Sequence, residues 1–145
     1  LLGPHRSNAG LGPGGQRRGE TRPRTCALSR LAGTAAERDV ERFLRQQGLK
    51  LIVRNFHSRF GEIDLVMDDR DTVVFVEVRS RRSREFGSAA ESVGRTKQSR
   101  VIRAARCLIA ARPKLAERPM RFDVVAISRG RGHNAIEWIK DAFRP

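Results

Sequence analysis

The sequence predicts an α/β fold in which helices flank a mixed central sheet of about four to five strands. Apolar residues recur at helical spacing in two segments, and β-branched and other apolar residues cluster in five shorter segments. These segments follow one another in the order α-β-β-β-α-β-β. The chain has 145 residues, of which 39% are hydrophobic, so it can bury the core of one ordinary domain.

The first helix is expected to begin at Thr34. Thr34 and Glu37 stand at the spacing of a capping box, in which each side chain satisfies a backbone amide of the first turn. Gly48 is expected to end this helix, because glycine readily adopts the left-handed conformation found just beyond helix ends. The residues that trace one face of the helix are Ala36, Val40, Phe43, Leu44 and Gln47.

Three strand segments come next, each bounded by turn residues. They lie at residues 49–56, 61–68 and 72–79. The connection between the last two, at residues 68–71, is short and polar, so we expect these strands to form a hairpin. Both strands carry apolar residues on both faces, as they would if other elements covered each side of the sheet.

The second half of the chain predicts a helix and two further elements. Apolar residues at helical spacing run from Arg95 to about Arg112, and Pro113 lies just beyond them. The preceding segment, from Ser80 to Gly94, is polar and predicts a loop. The remaining elements are a strand at residues 120–128 and a short element at residues 135–143.

Residues 1–32 differ in composition from the rest of the chain. They are rich in glycine, proline and arginine and show no hydrophobic period. This composition is typical of a disordered basic N-terminal arm that contacts phosphates without specificity. The folded domain is expected over residues 33–145. Because the chain begins with Leu1 rather than methionine, an extended gene start is the stronger explanation of part of this arm.

The overall charge predicts a polyanionic partner. Lysine and arginine number 30 against 16 acidic residues, which gives a net charge of +14. Such a field favours nucleic acid first and an anionic membrane surface second. The two cysteines and three histidines lack the spacing of a zinc site. With no apolar run near the ~20 residues of a membrane span and no signal peptide, we expect a cytoplasmic protein without a membrane partner.

An acidic residue, Glu77, interrupts the apolar run of the third strand segment. A buried carboxylate without a partner carries a large desolvation cost. A connecting loop of residues 69–72 sets Asp64 directly opposite Glu77, with Cβ atoms roughly 4.5–5.5 Å apart. A two-residue loop leaves the two acids diagonal but still on one face. Either one acid is protonated, or both bind a divalent cation, and oxygen ligands suit Mg²⁺ or Mn²⁺.

Basic residues follow these two acids along the chain. Arg79 is two residues beyond Glu77 and therefore shares its face. Carboxylates for a metal with cations around them are what phosphodiester cleavage requires. Lys97, Arg100 and Arg103 recur at helical spacing, either as a basic stripe or as the exposed helix face. The residues expected to contact nucleic acid are Arg81, Arg82, Arg84, Arg95 and Lys97.

The spacing of these residues resembles a known motif. Asp64, twelve further residues and then Glu77-Val78-Arg79 resemble the D…(D/E)-x-K motif of the restriction-endonuclease-like superfamily. A longer series of segments, over about residues 33–145, resembles the uncharacterised bacterial YraN-type family, UPF0102. In chain order these segments are RNF, FGEIDLV, VFVEVRSR, TKQ, RFDVVA and IEWIKDAF.

This resemblance implies a restriction-endonuclease-like α/β core, similar to that of Holliday-junction resolvases and archaeal tRNA endonucleases. It implies that Asp64 and Glu77 bind Mg²⁺, with Glu37 approaching from the first helix as a further catalytic residue. Arg79 stands where the motif has lysine. Arginine cannot act as a base at neutral pH, but it can hold a phosphate with two hydrogen bonds. Lys97, at the start of the second helix, is a candidate for the missing ammonium group.

For each acid a purely structural interpretation stands beside the functional one. Glu37 is equally well explained as the third residue of the capping box. The buried pair could instead form separate salt bridges, such as one between Glu77 and Arg79. Glu62 is best explained as a solvated strand end, and Asp123 as the partner of a neighbouring arginine.

The leading functional prediction is a Mg²⁺- or Mn²⁺-dependent endonuclease, or a nuclease-like protein, that acts on branched or otherwise structured DNA. The alternative is a nucleic-acid-binding module that keeps the fold and the basic face without catalysis. DNA is favoured over RNA as the partner, and a homodimer is left open.

Overall fold

The computed structural model describes the backbone of residues 24–33 and complete residues 34–81, 91, 93–130 and 134–145. Two α-helices and five strands occur there, in the predicted order α-β-β-β-α-β-β. Their bounds are α1 Arg24–Gln46, β1 Lys50–Ser58, β2 Gly61–Asp69, β3 Thr72–Arg81, α2 Arg95–Ala111, β4 Met120–Arg129 and β5 Asn134–Phe143, with a short 3₁₀ turn at Pro113–Leu115.

The five strands form one mixed sheet in the order β1-β2-β3-β4-β5. Neighbouring strands are antiparallel except β3 and β4, which are parallel. Parallel strands need a long crossover connection, and here α2 lies in that connection. The predicted α/β layout, a mixed sheet of about five strands with flanking helices, is therefore confirmed.

Each face of the sheet buries its own apolar core. Val40 and Leu44 of α1 pack on one face, with Val76 of β3 among their neighbours. Val101 and Leu108 of α2 pack on the other face, with alternate β3 residues. Because successive side chains of a strand point to opposite faces, β3 is apolar throughout where both helices cover it. By the same alternation Glu77 faces α2.

The predicted start of the first helix is wrong. Helix α1 begins at Arg24, ten residues before Thr34, so Thr34 cannot be its N-cap. From Ala36 onward, α1 presents an apolar face to the sheet, and burial of such a face supplies most helical stability. The predicted end is confirmed: Gly48 has φ 94°, and Leu49 N–H donates to the carbonyl of Leu44 at 3.1 Å.

The hairpin between β2 and β3 has the register that sets the two predicted acids opposite each other. Asp69 pairs with Thr72, so the turn has two residues rather than four. The prediction that a two-residue turn leaves the acids diagonal is wrong, because the Asp69–Thr72 pair continues the same register instead of shifting it. Pairing then continues to Leu65 opposite Val76, and the next positions along the two strands are Asp64 and Glu77.

Several predictions fall on residues outside the described ranges. Residues 1–23 and 82–90 are among them, so the boundary between the N-terminal arm and the domain stays a prediction. The expected contacts of Arg82 and Arg84 stay predictions for the same reason. Within the described ranges, neither helix combines the length and apolar character of a membrane span.

Candidate functional site

Glu77 is a buried acid with an incomplete set of partners. Only 3% of the Glu77 surface is exposed. Lys97, in the first turn of α2, places Nζ 3.3 Å from Oε1 of Glu77. The other carboxylate oxygen, Oε2, is buried and has no hydrogen-bond partner among the described residues. A buried oxygen left in this state is costly, so its presence calls for a ligand or a proton.

Asp64 is positioned by the backbone of the neighbouring strand. The backbone pairing between β2 and β3 extends to Leu65 and Val76. Two residues beyond Val76, the Val78 N–H donates to Oδ2 of Asp64 at 2.8 Å. The carboxylate thus takes the place of a strand carbonyl as acceptor, which holds it over β3 next to Glu77.

Both acids have raised pKa values, because the two carboxylates are close together and nearby positive charges compensate them only in part. Burial raises the pKa of Glu77 to about 7, and the negative charge of Asp64 adds to the rise. Burial also raises the pKa of Asp64, against the hydrogen bond from Val78. The positive charges of Lys97 and Arg79 act in the opposite direction on both acids. Two acids perturbed in this way are typical of functional sites.

Glu37 lies in the middle of α1 and close to Asp64. The capping-box interpretation of Glu37 is wrong, because the helix begins thirteen residues earlier, at Arg24. The side chain is partly buried; burial raises its pKa, and the charge of Asp64 is the next cause of the rise. Asn55 of β1 opposes that rise through its side chain. The fold therefore brings a third acid toward the pair.

Asn55 is a site-lining residue that the sequence interpretation missed. It has φ 47° within β1, a left-handed conformation that asparagine tolerates better than most residues. The pairing of β1 with β2 passes from Phe56–Ile63 to Arg54–Leu65 and skips Asn55 and Asp64. An asparagine inside a strand was the available signal, because asparagine is depleted in strands.

The predicted basic residues differ in their distance from the two acids and in their exposure. Arg79 is partly buried, and its charge acts on both Asp64 and Glu77. The side chain of Arg81 is only 13% exposed and lies 3.9 Å from Glu137. Arg95 is exposed at the first position of α2. Arg79 and Lys97 therefore lie at the acids, while Arg95 lies on the surface nearby.

Glu62 is confirmed as a solvated strand end. Its side chain is 54% exposed, lies 3.5 Å from Nδ1 of His57 and forms an ion pair with Lys97 at 3.9 Å. Lys97 thus bridges the exposed Glu62 and the buried Glu77. The open side of the acid pair is consequently the side on which Lys97 and Glu62 lie.

Asp64 and Glu77 fit a divalent cation, but they supply only some of the ligands that the cation needs. The unpartnered Oε2 of Glu77, beside Asp64, is an oxygen of the kind that Mg²⁺ and Mn²⁺ prefer. Across the described ranges, no three His, Cys, Asp or Glu side chains come together as a metal site. Mg²⁺ usually keeps several waters and takes one or two carboxylates, which matches two protein ligands.

The fold and these side chains define an α/β protein with a restriction-endonuclease-like layout and two neighbouring acids at one sheet face, Glu77 buried and Asp64 partly buried. The family model described as "Uncharacterised protein family UPF0102" matches residues 36–127, and the chain belongs to this family. The predicted family resemblance is therefore confirmed.

Relatives from several bacteria are similar over most of their length. A UPF0102 protein of Nitrosomonas europaea is 52% identical over 111 residues, which cover 77% of this chain and 92% of the relative. A UPF0102 protein of Saccharophagus degradans is 50% identical over 111 residues, covering 77% and 91%. One from Nitrosococcus oceani is 44% identical over 118 residues, covering 81% and 95%.

Proposed function

We propose that this protein is a metal-dependent nuclease that hydrolyses phosphodiester bonds in structured DNA. The observation that supports it most is the unpartnered Oε2 of Glu77, buried beside Asp64 and reached by Lys97. A structural acid with all its hydrogen bonds satisfied would have no oxygen in this state, whereas a metal ligand needs an oxygen that is free to bind the cation.

Asp64 and Glu77 would hold the cation, Mg²⁺ or Mn²⁺. The Val78 N–H already fixes one oxygen of Asp64, so this carboxylate would need little reorientation on binding. When bound, the cation supplies the polarisation of the phosphate and the acidified water that phosphodiester hydrolysis needs. The carbonyl of Val78 would be a further ligand, because it belongs to the residue whose N–H holds Asp64.

Lys97 and Arg79 would bind the phosphate that is cut. The Nζ of Lys97 lies 3.3 Å from Glu77 and so can donate to a phosphate oxygen adjoining that acid. Its ammonium would serve in place of the lysine that Arg79 replaces in the motif. Arg79 would contribute two hydrogen bonds from its planar guanidinium. Glu37, whose pKa burial raises, would orient water from the α1 side.

The net charge of +14 supports nucleic acid as the partner, because neutralising phosphates releases counterions and drives binding. The basic residues predicted to contact it beyond the site are Arg81, Arg82, Arg84 and Arg95. We place this activity on DNA in the cytoplasm. Whether the protein forms a homodimer is left open, and sedimentation of the protein with and without a DNA junction would test it.

A panel of labelled substrates tests the proposal directly. Four-way junction, flap, gapped duplex, intact duplex and RNA are each incubated with the protein in Mg²⁺, in Mn²⁺ and in EDTA. We expect cleavage of a structured DNA only with metal. Glu77→Gln should lower its rate more than about 100-fold, since even outer-shell changes at metal sites cost 10–100-fold.

Glu117→Gln is the matched control, because Glu117 is an exposed acid that precedes β4, at the end of the sheet away from Glu77. It should cleave like the wild type. Calorimetric titration with Mn²⁺ supplies an independent readout: binding should be lost in Asp64→Asn and Glu77→Gln. Wild-type Mn²⁺ binding in both variants would overturn the metal site.

A second function, a nucleic-acid-binding module without catalysis, is favoured by two specific observations. Arg79 replaces the motif lysine, and the described residues do not bring three metal-binding side chains together. In that case the same panel would show binding that is equal in EDTA and in Mg²⁺, and no product. Glu77→Gln would then bind as well as the wild type.

A further inference from the structure

Phe60 exposes a large aromatic ring at the turn between β1 and β2. Phe60 is apolar, yet 39% of its surface is exposed. The turn is fixed in place: Phe60 N–H donates to Oγ of Ser58 at 3.2 Å, and that hydroxyl donates to the carbonyl of Gly61 at 3.1 Å. A Cβ on Gly61 would lie 2.9 Å from the carbonyl oxygen of Arg100, so the turn rests directly on α2.

Arginines surround this ring. The guanidinium of Arg59 lies 4.6 Å from the ring centroid of Phe60, a cation–π contact that covers one side of the ring. Arg100, Arg103 and Arg106 recur along α2 and are exposed. None of these three forms an ion pair with any other residue in the part of the chain that the structure describes. Their charges are therefore available to a phosphate backbone.

Two clefts meet at Phe60. One, of ≈ 440 Å³, runs between the turn and α2 and has Glu62, Lys97 and Arg100 in its walls. It leads toward the acid pair, because Lys97 is also the partner of Glu77. The other, of ≈ 400 Å³, is lined by Phe60, Arg103, Arg106, Cys107 and Ala110. It combines an aromatic wall, small apolar residues and two arginines that form no ion pair with the described residues.

We propose that Phe60 is a stacking platform for an unpaired base of the nucleic acid bound at the acid site. Because Arg59 occupies one side of the ring, the base would enter the second cleft, while the backbone follows the first cleft toward Lys97. Aromatic side chains bind bases in this way regardless of sequence, but only where the base is unstacked. This inference rests on the proposed function for the position of the cut, and it names the substrate class: nucleic acid with unpaired bases near the cleaved bond.

The test measures binding in EDTA, so it does not depend on cleavage. The probes are a gapped duplex with 2-aminopurine, a fluorescent base quenched by stacking, in the gap, and an intact duplex of the same length. We expect Phe60→Ala to weaken binding of the gapped probe about tenfold or more, because one base stack contributes ~1–3 kcal/mol. The quenching should also be lost. Binding of the intact duplex should stay within about twofold, because phosphate contacts supply sequence-independent affinity.

Met120→Ala is the matched control, since Met120 is also 39% exposed but begins β4 at the far end of the sheet. It should bind both probes like the wild type, and Phe60→Trp should keep both affinity and quenching. Unchanged gapped-probe binding in Phe60→Ala would overturn the platform and leave the nuclease proposal standing. Phe60-dependent binding without metal-dependent cleavage would overturn the nuclease and leave the platform. Failure of the wild type to bind either probe would overturn both.

Discussion

Asp123 in β4 and Glu77 in β3 are both buried acids of the central sheet, yet their surroundings differ. Asp123 is 0% exposed and accepts hydrogen bonds from Arg121 Nε at 3.1 Å and from the indole of Trp138 at 2.9 Å. The backbone N–H of Asp141 donates to it as well, at 2.9 Å. Glu77 is paired with the ammonium of Lys97, and its other oxygen has no partner in the part of the chain that the structure describes.

The two acids also face opposite helices. Asp123 alternates with Val125 and Ile127, which pack on the α1 side, whereas Glu77 faces α2. The predicted structural interpretation of Asp123, an ion pair with a neighbouring arginine, is confirmed by Arg121. The comparison teaches that burial alone does not mark a functional acid. Incomplete hydrogen bonding does, because a fully satisfied carboxylate has no oxygen left for a ligand.

Replacing each acid by its amide should separate the two roles most strongly. Asp123→Asn leaves Arg121 and the indole without a charged partner, and removing one side of a buried ion pair costs about 3–5 kcal/mol. Glu77→Gln should cost less than about 1 kcal/mol at pH 8 or even stabilise the protein, because it removes a poorly compensated charge. Urea unfolding of the metal-free proteins checks this. Equal losses in the two variants would contradict the comparison.

The pH dependence of stability should carry the signature of Glu77. Its pKa is raised from 4.5 to about 7 in the folded protein, chiefly by burial. Its stabilising contribution is therefore complete below pH 4.5 and is lost as the pH rises through 7. The wild type should lose up to about 3 kcal/mol relative to Glu77→Gln over that interval. The measurement is urea unfolding in EDTA at several pH values, and a constant difference between the two proteins would contradict it.

The smallest effect should come from Lys97. Removing its ammonium in Lys97→Met takes away the main positive charge that lowers the pKa of Glu77, so that pKa should rise further above 7. Carbon-13 NMR titration of the glutamate carboxyls measures the shift. Lys114→Met, at an exposed lysine of the 3₁₀ turn, is the control and should leave the titration of Glu77 unchanged. An unchanged pKa in Lys97→Met would show that the ion pair does not form in solution.

Much of the fold was predictable because its signals are local. The apolar run of β3, the helical spacing of α2 and the left-handed position at Gly48 each depend on a few neighbouring residues. The start of α1 was not predictable in the same way. Thr34 and Glu37 have the spacing of a cap, but a helix continues through such a pair when its preceding residues remain helical.

The candidate site was predictable only in part. Strand alternation and the hairpin gave the neighbourhood of Asp64 and Glu77, since both follow from the chain between them. The left-handed conformation of Asn55 and the approach of Glu37 depend on α1 packing across the sheet, which no local pattern encodes. The cation nearest Glu77 likewise comes from α2, twenty residues further along the chain, rather than from Arg79.

The sequence by itself determined the α/β class, the family and the excess positive charge, because spacing, motif and composition are properties of the linear chain. Only the tertiary structure decided which acids are satisfied. Asp123 and Glu77 look equivalent as acids in apolar strands, but Arg121, Trp138 and Asp141 gather around the first, whereas Lys97 alone among the described residues forms an ion pair with the second. Hydrogen-bond satisfaction depends on where side chains from distant segments end, and packing sets those positions.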